Sequence, residues 1–165
     1  VKLAAASFVR LLALGTLLGA LSVFAQQKEF VATEADFMDY DKWTKVGEFK
    51  GPSQALGAAH EGNNDTVTRV VFIKGDAKRV NGQFPVGTIV AKQHRAADGK
   101  IMGVTVMAKR GAEFNKEFGG WEWFMLDPAT RKIAVGADGK EVRGAIQMCN
   151  ACHGQAKDKD FVFTR

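Results

Sequence analysis

The feature that most constrains this chain is the run Cys149-Asn-Ala-Cys152-His153, which lies twelve residues before the end of a 165-residue sequence holding no other cysteine. Cys-x-x-Cys-His is the attachment signal for c-type haem. Its chemistry explains each residue. Two thiols add to the two haem vinyl groups, and the adjacent imidazole is held beneath the iron as proximal ligand. On a helix, positions i and i+3 share a face, so both sulfurs reach one porphyrin edge. A thioredoxin-like dithiol would need a βαβ context, and no such pattern precedes the motif. A zinc site would need a second ligand pair, and only His60 and His94 remain, far apart in sequence. A disulfide between the two cysteines is the remaining alternative in an exported chain.

Export is expected from the other end of the chain. Lys2 and Arg10 precede an apolar run over residues 11–24 that ends at Ala25, with Val23 and Ala25 at the cleavage positions. This is the pattern of a secretory signal peptide. The run is shorter than the roughly 20 residues that span a bilayer, so a cleaved leader (1–25) is expected rather than a membrane anchor. The remaining residues, 26–165, then form a single domain. The whole chain carries 23 Lys and Arg against 18 Asp and Glu, a net charge of +5. Two of those basic residues lie in the leader, which leaves 21 against 18, or +3. So weak an excess argues against a nucleic-acid partner.

A haem motif near the C-terminus would also suit a four-helix cytochrome, so the preceding chain decides. Residues 66–73, 87–94 and 101–108 are rich in β-branched and aromatic side chains. The second and third are joined across Asp98-Gly99, a strong hairpin signal. Residues 121–126 and 132–135 read as another hairpin around Asp127-Pro128. Thr33-Glu-Ala-Asp36 is a capping pattern for a helix running towards Trp43, and residues 141–153 read as a second helix that presents the haem motif. Gly51-Pro52 and residues 61–65 read as turns. The expected fold class is α+β, predominantly antiparallel β-sheet, with an N-terminal helix and a C-terminal helix carrying the motif.

With those elements in place the chain resembles the cytochrome P-460 family, which includes the β-sheet cytochromes c′ (cytochrome c′-beta). The resemblance rests on Tyr40-Asp-Lys-Trp-Thr-Lys-Val-Gly47, Phe84-Pro-Val-Gly-Thr-Ile-Val-Ala-Lys92, Gly119-Gly-Trp-Glu-Trp-Phe124, and the haem motif followed by Lys157-Asp-Lys-Asp-Phe-Val-Phe-Thr-Arg165. It implies a periplasmic, mostly β, homodimeric haem c protein with an open distal position. In the family's enzyme branch a lysine is bonded to a haem meso carbon, and hydroxylamine is oxidised, with nitric oxide as co-substrate, to nitrous oxide. In the cytochrome c′-beta branch the crosslink is absent and the protein binds nitric oxide. Lys92 occupies the place of the crosslinking lysine, and an electron-accepting cytochrome is the implied partner.

Strand parity gives Lys92 a reading of its own. Thr88, Val90, Lys92 and His94 point one way while Ile89, Ala91 and Gln93 point the other, and both faces are apolar over the middle of the strand. Such a lysine either snorkels to water or has a buried purpose, because a desolvated amine loses its proton readily and becomes nucleophilic. The proximal ligand is His153. Glu141 is the first candidate for a distal acid or base, with Glu117 and Glu122 as alternatives; for each, a solvated surface acid is the competing role. Phe72 and Phe84 are candidates to cover the distal face, against plain core packing. His60 and His94 read as surface or hydrogen-bonded histidines rather than iron ligands, and the five methionines as packing residues. A methionine at the sixth position would instead make a simple electron carrier.

Overall fold

The computed structural model describes residues 28–51, 66–111 and 113–163. The expected leader, His60 and the expected turn at 61–65 lie outside them. Six antiparallel strands form one sheet in sequence order: β1 (Thr44–Lys50), β2 (Thr68–Ile73), β3 (Ile89–Arg95), β4 (Ile101–Lys109), β5 (Trp121–Leu126) and β6 (Arg143–Gly144). A single helix, α1 (Gln147–His153), follows. Among the described residues no helix is long and apolar enough to cross a membrane.

The register sorts the strands into two faces. Phe72, Ala91, Val106 and Phe124 lie in one cross-strand row, and they pack with Ala32, Phe37 and Tyr40 from the N-terminal segment into one core. Ile73, Val90, Met107 and Trp123 form a row on the opposite face, packing with Trp121, Phe84, Phe161 and Val162 into a second core against which Cys149 and Ile146 rest. Two covered faces explain why β2 and β5 are buried along almost their whole length. At the expected β3–β4 hairpin, Ala96 N–H donates to the Lys100 carbonyl at 2.9 Å, and Gly99 takes φ +85°, which favours glycine.

The structure departs from the sequence pattern at three places. Instead of one helix after Thr33 there are two 3-10 turns, Glu34–Asp36 and Tyr40–Lys42. Asp39 (φ −120°, ψ 27°) leaves helical backbone between them, so Phe37 and Tyr40 both reach the core. The haem-motif helix begins at Gln147 rather than at 141, because Val142 to Gly144 is used by the sheet: Met125 N–H donates to the Val142 carbonyl, and Gly144 sits at φ +120°, outside any helix. The expected strand at 132–135 is reduced to two isolated bridges, Leu126 to Ile133 and Val135 to Glu141, since 142–144 occupies the rest of that edge of β5. β1 is the strand the pattern did not announce. It is an edge strand, exposed except at Gly47, and therefore lacks the apolar alternation of a half-buried strand.

Candidate haem-binding site

α1 carries Cys149, Cys152 and His153 within two turns. The two cysteines are not joined in a disulfide; Cys152 is buried and Cys149 half-buried. Burial pushes each thiol above its ordinary value, and the Lys92 ammonium acts in the opposite direction on both. The residue between them, Asn150, ties the helix to the sheet: its Oδ1 accepts from Trp123 Nε1 at 2.6 Å and from Asn115 Nδ2 at 2.9 Å. The pattern gave Asn150 no role, because the position between the cysteines is unrestricted in the motif.

His153 is oriented from behind. Its Nδ1 lies 2.7 Å from the Phe161 carbonyl, an acceptor only, so Nδ1 carries the proton and Nε2 is left as the ligating nitrogen. The ring packs between Trp123 (centroids 4.5 Å apart) and Phe163 (5.2 Å). A neutral imidazole with its second nitrogen committed to a carbonyl is how an iron-ligating histidine is commonly held.

Lys92 lies on the same face of the sheet as the second core, directly opposite Val71 on β2 and Thr105 on β4. Desolvation pushes its amine below the usual lysine range. The thiols of Cys152 and Cys149 favour its charged form, and the Arg69 guanidinium disfavours it. Lys92 shares its strand face with Val90, and Cys149 packs against the core on that face, so the β3 amine and the α1 motif lie on one side of the sheet. The donor set fits a c-type haem: two thiols at i and i+3 and an imidazole with its tautomer set, with Lys92 on the same side of the sheet.

The remaining sequence candidates are dispersed. Glu122 is 1% exposed, but it belongs to the other face, directly opposite Ala108, and it bridges Arg143 Nε (2.8 Å) and Arg110 Nη1 (3.4 Å). Glu141 is exposed, at an isolated bridge to Val135, with its carboxylate 3.6 Å from Arg143. Glu117 is exposed on a 3-10 turn. Phe72 packs edge-on to Tyr40 in the core away from Lys92, so it does not cover the haem side. Phe84 lies on the haem side, against Trp121. His94 shares the Lys92 face, opposite Arg69 and Gly103. Met125 also lies in the Lys92 row and is 44% exposed.

Fold and site together define a class: an antiparallel β-sheet protein that presents a haem c attachment motif on a short C-terminal helix. Within that class the chain belongs to the cytochrome P460 family, whose model, described as Cytochrome P460, matches residues 38–164. Membership implies a haem c cytochrome. A search of curated proteins found no match.

Proposed function

We propose that this protein is a periplasmic enzyme that oxidises hydroxylamine, with nitric oxide as co-substrate, to nitrous oxide, at a haem bonded to Cys149, Cys152 and Lys92. The supporting observation is Lys92 in the middle of β3, on the sheet face whose core carries Cys149, with burial pushing its amine below the usual lysine range. Partial burial shifts an amine towards its neutral form, and the neutral form is the nucleophile. Bound haem supplies an open iron position and the redox step.

The chain's own groups do the rest. His153, fixed by the Phe161 carbonyl, supplies the proximal nitrogen. Trp123 and Phe163 pack against its ring and fix its plane. Atom balance for hydroxylamine and nitric oxide giving nitrous oxide and water leaves one proton and one electron. The proton passes to solvent, since Glu141 lies exposed beside Arg143 and away from the Lys92 face, and the electron passes to a partner cytochrome. We read the working form as a homodimer, following the resemblance.

The absorption spectrum and intact mass of the mature protein test this reading. A strongly red-shifted ferrous Soret band that returns to an ordinary c-haem position in Lys92→Ala is the expected result. A five-coordinate high-spin spectrum without the crosslink refutes it and assigns a nitric oxide binding role instead. A low-spin spectrum indifferent to added ligand points to an electron carrier, with Met125 the side chain to examine.

A further inference from the structure

The loop that follows α1 is held more firmly than a surface turn requires. After the 3-10 stretch Gly154–Lys159, Asp160 (φ 51°) and Phe161 (φ 63°) both adopt left-handed backbone. For residues other than glycine this conformation is unfavourable, so the surroundings must impose it. They do so through a buried ion pair. Lys109, the last residue of β4, places Nζ 2.7 and 2.9 Å from the two Asp160 carboxylate oxygens, and the side chains are 7% and 2% exposed. Phe84 N–H donates to the same carboxylate at 2.7 Å, and Trp121 Nε1 donates to the Asp160 carbonyl at 2.9 Å. Gly119 closes the corner from below, where a Cβ would lie 2.9 Å from the Phe161 ring and 3.0 Å from Asp160 Oδ1.

A buried ion pair is a poor source of net stability, because desolvation offsets much of the attraction; an apolar pair would serve as well. Geometry gives this one a purpose. The residue after Asp160 is Phe161, whose carbonyl receives the His153 Nδ1 proton at 2.7 Å. Because the carbonyl is carried by two left-handed residues in succession, its direction depends on their being fixed. The strength of that hydrogen bond governs how basic the opposite ring nitrogen is.

We propose that the Lys109–Asp160 pair is a positioning element for the proximal ligand, aiming the Phe161 carbonyl at His153 and thereby setting the orientation and basicity of the imidazole. It rests on His153 being the iron ligand and is independent of the Lys92 crosslink. Neither residue touches the reacting atoms. Their effect is transmitted through the loop backbone, from β4 to the end of α1.

The test uses the haem-loaded protein with Asp160→Asn and Lys109→Gln. Asparagine tolerates left-handed backbone, and glutamine keeps a donor for Asp160. The ferrous iron–histidine stretching band and the reduction potential are read beside the melting temperature. In both variants the band is expected to move to lower frequency and the potential to rise, with haem still attached; Lys109→Arg, which keeps the charge, should hold both near wild type. If one variant does not accumulate, the other is read alone. Band and potential unchanged while only the melting temperature falls would overturn the proposal. A five-coordinate high-spin ferrous wild-type protein lacking an iron–histidine band would refute the ligand assignment itself, and the proposal with it.

Discussion

Replacing Glu122 by glutamine separates a structural acid from a catalytic one. Glu122 is 1% exposed, and its carboxylate meets Arg143 at 2.8 Å and Arg110 at 3.4 Å. Removing one partner of a buried ion pair costs about 3–5 kcal/mol, because the charge left behind stays uncompensated. Here the two guanidinium side chains are each 23% exposed and each keeps a second acid, Glu29 at 2.7 Å for Arg110 and Glu141 at 3.6 Å for Arg143. The loss therefore falls at the lower end, about 3 kcal/mol, which for a domain of this size lowers the melting temperature by roughly 10 °C. Thermal unfolding of the haem-loaded protein, followed by tryptophan fluorescence, measures it. Hydroxylamine turnover per folded, haem-loaded molecule should stay within about twofold of wild type, since Glu122 faces the core away from Lys92. A variant that melts with the wild type but loses turnover would refute this reasoning and return Glu122 to the distal site.

Two further outcomes follow from the same geometry. Asn150→Ala leaves the Trp123 indole N–H, 3% exposed as a residue, without its acceptor at 2.6 Å; the expected loss is about 2 kcal/mol in urea unfolding, and a loss below about 0.5 kcal/mol would mean that α1 is held by packing alone. The Asp36 carboxyl lies below its ordinary value of 3.8: burial alone would raise it, but hydrogen bonds from the Thr33 backbone and from Lys74 outweigh that. A depressed folded value contributes stability that is present above the unfolded value and lost as pH falls through the folded one. Asp36→Asn should therefore lower stability by less than about 1 kcal/mol near neutrality, and the difference should vanish in strong acid; a difference independent of pH would contradict it.

Local chemistry made much of this protein readable from its residues. The haem handle is three residues at fixed spacing, and α1 needs no distant partner to place them together. β2 to β5 were legible because strands covered on both faces leave dense β-branched and aromatic runs, and Asp98-Gly99 marks its hairpin by its own backbone preference. Parity grouped Lys92 with Thr88, Val90 and His94 on one face, since the period of a strand is two. The N-terminal helix was misread because Thr33 and Asp36 do interact as a cap, with the Thr33 N–H 3.0 Å from Asp36 Oδ2, yet the cap is followed by a 3-10 turn. What comes after it depends on where Phe37 and Tyr40 are buried.

What the sequence by itself determined was the identity and spacing of the haem-binding groups and the alternation that divides each strand between two faces. Only the tertiary structure decided which face faces what. It put Lys92 on the face against which Cys149 packs and Glu122 on the other, gave residues 142–144 to the edge of β5 instead of to a helix, and brought Asp160 against Lys109, 51 positions away. The physical reason is the same in each case. Periodicity states that a side chain will be buried, whereas the partner that meets it is set by strand register and by the path of the C-terminal loop. Those are fixed by contacts between segments far apart in the chain.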